Sequence, residues 1–439
     1  MNKQDSQYTN GDYKRLSNRI RENPSEISTN DLEMLQILRL TYKNPLATVF
    51  KELCKIAHRV DSNSICTCRI KRIESIISKL QRFKDMEVQR VVDIAGCRCI
   101  METIENVYTL IIQLEKKKQY LPFSIKIRKD YIAEPKESGY SSVHLDAILN
   151  EEPHKVIEIQ IRSLEQHNWA TLVEISDVLF SSQLKECSDK INPDLYKFHQ
   201  ILAKRNECMT LNDKRLLSEI SEKYHYLTRL GNVFNNNFID LRRQRNKLKT
   251  TRPPQHFFLI STSTKSDNKT PELNSFENFD KAEDEYFKMF EEESDNKNIV
   301  LIQLRETTFE KLSIAYSNYF LTYNATLFII LKAIADVTVY AHNNFRLTEF
   351  QKNYKSFWYI IINWFGKKLE EIVSFNNDVN IRRSKKKKDE WFASIASNIQ
   401  SAVSIINNMQ KEFRTNHLYL IVKFIKRRID KEVSDKFHS

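Results

Sequence analysis

Between residues 69 and 84 the apolar side chains Ile70, Ile73, Ile76, Ile77, Leu80 and Phe83 recur at three- and four-residue intervals, the spacing that lines one face of a helix. Arg69, Lys71 and Lys79 fall off that stripe. The pattern predicts one amphipathic helix with a basic flank. Upstream, residues 12 to 60 carry the same period. A helix start is expected near Ser28 to Asp31, where small polar residues able to cap a helix precede LEMLQILRL.

Downstream the period changes to two. VVDIAGCRCI (91 to 100), FSIKIRK (123 to 129), SVHLDAIL (142 to 149) and VIEIQIR (156 to 162) read as strands. Helices are expected at 103 to 119 and from Leu164 to Phe180. In VIEIQIR the apolar Ile157, Ile159 and Ile161 alternate with Glu158, Gln160 and Arg162, so the pleat sends the three polar side chains to one face. Such a row either lines a binding site or faces solvent on an ordinary antiparallel sheet.

These patterns predict an α/β (α+β) core over residues 61 to 180, a mixed sheet flanked by helices, behind a helical N-terminal region, 1 to 60. A basic helical extension follows over 181 to 250. Residues 251 to 298 shift in composition: a breaker at Thr251 to Pro254, a polar run from Ser261 to Thr270, and an acidic run from Glu283 to Asn298. This reads as an interdomain linker carrying a short strand, HFFLI (256 to 260), and an acidic helix. The remainder, 299 to 439, opens with the strand-like IVLIQL and becomes a mainly helical, aromatic C-terminal domain. There Tyr316, Tyr319, Phe320 and Tyr323 follow helical spacing and read as core, while Arg382, Arg383 and Lys385 to Lys388 read as an exposed loop.

Only 5 Gly and 9 Pro in 439 residues agree with long helices and few tight turns. A formal net charge of +12 favours an anionic partner: nucleotide phosphates, RNA or an acidic membrane. The N-terminal MNKQDSQYTN has no apolar stretch behind a basic start, and the runs Leu327 to Leu331 and Phe357 to Ile362 are too short to cross a bilayer. A soluble, cytoplasmic protein with no membrane partner is expected. The seven cysteines then read as free thiols of a reducing compartment. Cys66/Cys68 and Cys97/Cys99 lack the two-residue spacer of zinc knuckles, which favours buried structural roles.

Four segments change the picture by their order: RIKRIESIISK (69 to 79), DIAGCR (93 to 98), KDYIAEPKESGYSSVH (129 to 144) and EIQIRSLEQHNWA (158 to 170). Together, over roughly residues 61 to 172, they resemble the synthetase core of the RelA/SpoT alarmone synthetases. The chain has no His-Asp dipeptide of the kind the family's hydrolase domain carries, so the resemblance is to the small or toxic synthetases.

That resemblance implies transfer of pyrophosphate from ATP to the ribose 3′-hydroxyl of GDP or GTP, with Mg²⁺ as cofactor. No Gly-x-x-x-x-Gly-Lys loop is present, so basic side chains must hold the phosphates. By the family's pattern Arg69 and Arg98 would sandwich the adenine and Lys71 and Lys79, both on the expected helix, would bind the triphosphate. Asp93 would be a metal ligand, and Glu158 a second ligand or the base for the acceptor hydroxyl. Tyr140 would stack on the guanine; Lys129, Lys136, His144 and Gln160 would surround the acceptor, and His167 would reach its base. Strict alternation from Asp93 puts Arg98 on the opposite face, so a bulge near Ala95 and Gly96 is expected.

The sequence departs from the pattern after Trp169, where Val173, Glu174, Val178 and Leu179 replace the family's Glu-His and Tyr-Lys pairs. Ser138 and Glu134 also alter the acceptor loop. The tRNA 3′ end or an adenine nucleotide is therefore an alternative acceptor, and a catalytically degenerate nucleotide-binding module an alternative to an enzyme.

Overall fold

Cys66 and Cys68 are buried on one strand and pair in register with Cys99 and Cys97 on the next; these two strands are the middle of a single sheet. The computed structural model describes residues 8–23, 26–152, 154–180, 192–204, 208–226, 229, 255–263, 271–293, 297–305, 309–315, 330 and 333. Eight strands are β1 (Ile65–Ile70), β2 (Ala95–Met101), β3 (Phe123–Asp130), β4 (Val143–Leu149), β5 (Val156–Ser163), β6 (Phe257–Ser263), β7 (Glu272–Phe276) and β8 (Lys297–Leu304). Their order is β3-β4-β5-β2-β1-β8-β6-β7. Every pairing is antiparallel except β2 with β5.

The helices are α1 (Asn10–Glu22), α2 (Thr29–Leu40), α3 (Lys43–Val60), α4 (Ile73–Arg82), α5 (Ile104–Lys116), α6 (Leu164–Phe180), α7 (Pro193–Leu202), α8 (Leu211–Lys223), α9 (Phe279–Glu293) and α10 (Phe309–Ala315). Helix α2 starts where its capping residues place it: the Ser28 hydroxyl accepts the Asp31 backbone N–H at 3.1 Å.

Two faces of the sheet differ in chemistry. On one, Cys66, Cys68, Cys97, Cys99, Ile157, Ile159 and Ile161 pack into a core with Val49, Phe50 and Leu53 of α3, Leu110 of α5, and Tyr286, Phe287 and Phe290 of α9. Burying each such aliphatic side chain stabilises the fold by roughly 1.5–3 kcal/mol. On the other face the β8 end is apolar, with Ile65, Ile100, Val300, Ile302 and Leu304 packed against Leu312 and Ala315 of α10. Toward β5 the same face becomes polar.

Three expectations change. The stretch 69 to 84 is not one helix: Arg69 and Ile70 end β1, and α4 begins only at Ile73. Residues 257 to 304 do not lie outside the sheet, because β6, β7 and β8 extend it through the pairing of β8 with β1 (Ile65 with Leu304, Cys68 with Leu301), while α9 covers one face. No bulge interrupts β2, whose register with β1 is continuous from Ala95 to Ile100; Asp93 sits in the turn before the strand, so strand alternation does not govern it.

Among the described cysteines Cys54, Cys66, Cys68, Cys97 and Cys99 are buried free thiols and Cys208 is exposed. No described helix is long and apolar enough to cross a membrane. The chain divides into two compact units, Met1–Ala203 with Phe234–Thr326, and Lys204–Val233 with Leu327–Ser439. The sheet belongs to the first. The second contains α8, before which Lys204 pairs with Asp213 at 2.8 Å. Tyr316, Tyr319, Phe320, Tyr323 and the basic run at 382 to 388 lie outside the described residues.

Candidate active site

The polar half of the sheet follows from register. Arg98 stands across from Thr67 on β1 and Gln160 on β5, Gly96 across from Arg69 and Glu158, and His144 and Asp146 of β4 across from Gln160 and Glu158. Alternation therefore gathers these side chains on one face. Arg69, Lys71, Asp93, Arg98, Glu158 and Gln160 line one cavity, joined by His167 from α6 and by Asn298 and Val300 from β8.

Two lysines from different elements meet on one carboxylate. Lys71, just past the end of β1, places Nζ 2.6 Å from Asp93 Oδ2, and Lys79 of α4 places its Nζ 2.7 Å from Oδ1. Burial works to raise the Asp93 pKa, but the two ammonium groups outweigh it and hold the carboxyl down at about 2. The Lys71 ammonium is itself pushed below its usual range by burial, against the opposing pull of Asp93.

Glu158 is the other carboxylate. Its Oε1 accepts from Arg128 and from His144 Nδ1 at 3.1 Å, and its Oε2 accepts from Gln160 at 2.9 Å. Burial opposes the charge, yet His144 and Arg128 keep its pKa below the ordinary glutamate value. His144 Nε2 lies 2.8 Å from the Tyr140 hydroxyl. With Nδ1–H directed at Glu158, Nε2 accepts from Tyr140, giving a hydrogen-bonded chain from Tyr140 through His144 to Glu158.

An aromatic recess adjoins this chain. Tyr131 and Tyr140 meet edge to face at 5.8 Å, and Lys136 Nζ lies over both rings, 4.7 Å from the Tyr131 centroid and 5.3 Å from that of Tyr140. Gly139 shapes the loop. Its φ of +94° suits glycine, and a Cβ there would come within 2.4 Å of Ala203 Cβ.

Beneath the cavity two arginines share a buried environment. Arg162 is 2% exposed, and burial first, then the neighbouring Arg98, brings its pKa down to about 9. Its guanidinium donates to His167 Nδ1 at 2.6 Å, so His167 Nε2–H donates to the Ile314 carbonyl at 2.8 Å. Burial and the two arginines keep His167 neutral. Both ring nitrogens are thus engaged, and His167 acts in the wall of the cavity. β3 shifts register between Ile127 and Lys129: Lys129, exposed, stands across from His144, and Arg128 reaches Glu158 and Asp146.

Of the other expected residues, Arg69, Lys71, Asp93, Arg98, Glu158 and Gln160 line the cavity, Lys79 and His144 hydrogen-bond to its lining, and Tyr140 and Lys136 adjoin it through His144. Arg128, Tyr131 and Asp146, and the β8 residues Asn298 and Val300, were not foreseen. Alternation in FSIKIRK gave a sign for Arg128, which shares a parity with Ser124 and Lys126.

A family profile described as "Region found in RelA / SpoT proteins" matches residues 68–181, which hold all of the expected site residues. Residues 68–181 are thus similar to the RelA/SpoT region. GTP pyrophosphokinase YjbM of Bacillus subtilis is 34% identical over 128 residues, 27% of this chain and 59% of its own length. GTP pyrophosphokinase YwaC of the same organism is 36% identical over 115 residues, 24% of this chain and 53% of its own. The chain thus spans little more than half the length of these relatives. The solved small alarmone synthetase 1 of Bacillus subtilis bound to its product pppGpp aligns with 37% of this chain and 85% of its own at 27% identity; the TM-score of 0.32 is too low to compare the two shapes. The strands β6, β7 and β8 lie outside the RelA/SpoT region.

Proposed function

We propose that the protein is an ATP-dependent pyrophosphokinase that transfers the β,γ-pyrophosphate of ATP to the ribose 3′-hydroxyl of GDP or GTP, making an alarmone of the (p)ppGpp type. The observation that carries this reading is the meeting of Arg69, Lys71, Asp93, Arg98, Glu158 and Gln160 in one cavity of the RelA/SpoT region. The names of the relatives, GTP pyrophosphokinases, support the reaction class.

The donor half is built to hold a triphosphate without a phosphate-binding glycine loop. Lys71 and Lys79 supply charge, and the planar guanidinium groups of Arg69 and Arg98 supply faces on which a purine can stack. Asp93 and Glu158 are hard oxygen donors lining the same cavity, and each feels the other's charge. Magnesium commonly takes one or two carboxylates and completes its shell with substrate phosphates and water, so these residues fit it. They would hold the ion, and Lys71 and Lys79 would exchange Asp93 for phosphate oxygens. When bound, the ion supplies neutralisation of the phosphate charge that builds up during transfer.

On the acceptor side Tyr140 and Lys136 offer a stacking face and a cation for a guanine nucleotide. Glu158 is ionised, and its Oε2, hydrogen-bonded to Gln160, takes the proton of the attacking 3′-hydroxyl. The 3′-oxygen bonds to the β-phosphorus, the bond from that phosphorus to the α-β bridging oxygen breaks, and AMP leaves. His144 and Arg128 orient the carboxylate and limit its basicity.

A second acceptor, the tRNA 3′ end, is favoured by the net charge of +12 and by Glu174, whose charge is felt at Arg98 and Arg162 where the family places a histidine. Incubation with labelled ATP and, separately, GDP, GTP, ATP or deacylated tRNA decides among them. Label on GDP or GTP is expected. Label on no acceptor would refute the enzyme in favour of a binding module, and full turnover by a Glu158→Gln protein would refute the assigned base.

A further inference from the structure

The ladder between β1 and β8 ends early. Register partners run from Ile65 with Leu304 to Cys68 with Leu301, yet β1 continues to Ile70 and β8 extends back to Lys297. Past Cys68 and Leu301 each strand keeps its outer neighbour only: Arg69 and Ile70 pair with β2, and residues 297 to 300 pair with β6. The two strands part at the level of Arg69.

A parted pair of strands leaves backbone donors without a ladder partner, which is costly inside a protein. Here the Ile70 N–H donates to the Tyr286 hydroxyl at 3.0 Å. Tyr286 is buried on α9, on the face opposite the cavity, among Ile299, Leu301 and Phe290. Its hydroxyl therefore stands in for the missing strand from below. The adjoining peptide is held as firmly: Lys71 N–H donates to the Ile94 carbonyl at 2.7 Å, and the Lys71 carbonyl accepts from Arg39 Nε at 2.9 Å. Arg39 is buried and its guanidinium lies 4.5 Å over the Phe290 ring, also on α9.

On the cavity side, the parting leaves Asn298 and Val300 of β8 facing Arg69 and Lys71 across the same space. Ala315 of α10 closes it further. None of these three residues, nor Tyr286, belongs to the RelA/SpoT region.

We propose that the segment from β6 to α10 completes the donor nucleotide pocket: Asn298 and Val300 form the wall that contacts the base and ribose of ATP, and Tyr286 is a positioning residue that keeps β8 parted from β1 and Lys71 in place. This deepens the pyrophosphokinase reading and rests on its placement of ATP. Val300 presents an apolar face beside the guanidinium groups, and Asn298 a polar side chain of the type that matches a purine edge.

The test is titration calorimetry of the full chain with a non-hydrolysable ATP analogue and, separately, with GDP. Val300→Trp fills the wall and is expected to weaken analogue binding by more than about tenfold with GDP affinity unchanged. Should Val300→Trp fail to fold, as judged by its melting transition, Asn298→Trp at the partly exposed rim decides in its place. Tyr286→Phe keeps the ring and loses only the hydroxyl; the expected result is a KM for ATP raised by roughly tenfold with kcat at saturating ATP within about twofold. A purely structural role would lower the active fraction and hence kcat while leaving KM alone. Analogue binding by the wall variant equal to that of wild type, or a kcat loss in Tyr286→Phe at unchanged KM, would overturn the inference with the pyrophosphokinase reading intact. Absence of analogue binding by the wild-type protein would overturn both.

Discussion

Asp146 and Glu158 stand directly across from one another on β4 and β5, and one guanidinium, that of Arg128, reaches both carboxylates. The two acids are nevertheless unlike. Burial raises the Asp146 pKa, with Arg128 opposing and Glu158 adding to the rise, while the Glu158 pKa is held down by His144 and Arg128 in spite of burial. One cation thus helps keep the proposed base ionised next to a neighbour that is more readily protonated.

Arg128→Ala removes that cation and leaves two partly buried carboxylates side by side. The folded-state pKa of Glu158 then rises, so the acid limb of the kcat/KM profile is expected to move to higher pH by roughly one unit. Arg128→Lys, which retains the charge, moves it less. A pH–rate profile at saturating magnesium checks both.

Asp93 links the donor site to acid stability. Its folded pKa, about 2, is depressed below the reference 3.8. A depressed carboxyl contributes stability that is fully present above the unfolded pKa and is lost as pH falls through the folded one. The window is therefore about pH 4 to 2, and the contribution at neutral pH is about 2 kcal/mol. Asp93→Asn should lower the urea midpoint at pH 7, where Lys71 and Lys79 are left facing each other. The gap from wild type should close as pH drops toward 2.

At the acceptor side, Tyr140→Phe keeps the ring and breaks the hydrogen bond to His144. The expected outcome is an acceptor KM within about twofold and a kcat lowered several-fold, about 1 kcal/mol. Tyr140→Ala removes the stacking face as well and should raise the acceptor KM by roughly tenfold. Initial rates with GTP varied at fixed ATP distinguish the two patterns.

The thiols give a test of the sheet itself. Cys54, Cys66, Cys68, Cys97 and Cys99 are sealed beneath the site, and Cys66 Sγ lies 3.7 Å from Cys99 Sγ. Cys187 lies outside the described residues. In a Cys187→Ser protein a thiol-reactive dye should titrate one group rapidly, Cys208, and the other five only with global unfolding. Rapid reaction of a second thiol would contradict the packing of β1 against β2.

The site was legible where alternation governs it. Glu158, Gln160 and Arg162 lie on the face their spacing assigns, and burial alternates through β4 and through β5 as far as Ile161, beyond which Arg162 is buried too. Arg128 shares the parity of Ser124 and Lys126, so alternation alone marks its face; its reach to both Glu158 and Asp146 comes with a register shift after Ile127 that nothing in FSIKIRK marks. β1 was missed for a different reason. Its residues 65 to 68 are buried on both faces, so ICTCRI shows no period of two, and Ile70 falls by coincidence in step with the helical stripe of α4.

Residues 251 to 298 read as a linker from their composition, and the strand and acidic helix expected there are β6 and α9. The acidic side chains of α9 suggested a solvated linker, while Tyr286, Phe287 and Phe290 form the inward stripe that packs under β1 and β8. Pairing between β1 and β8 is a contact between remote parts of the chain, and it leaves no mark in either strand taken alone.

That remoteness governs how the protein comes into being. Ile65 leaves the ribosome more than two hundred residues before its partner Leu304, and strand pairings of such long range form slowly because the intervening chain must first be brought together. Until β8 arrives, the nascent sheet carries β1 as an open edge, with Ile65 and Ile100 uncovered by α10, a surface on which other chains can add. On the proposed reading, the wall that Asn298 and Val300 add to the cavity is therefore its last part to form, once the sheet has closed against its late strand.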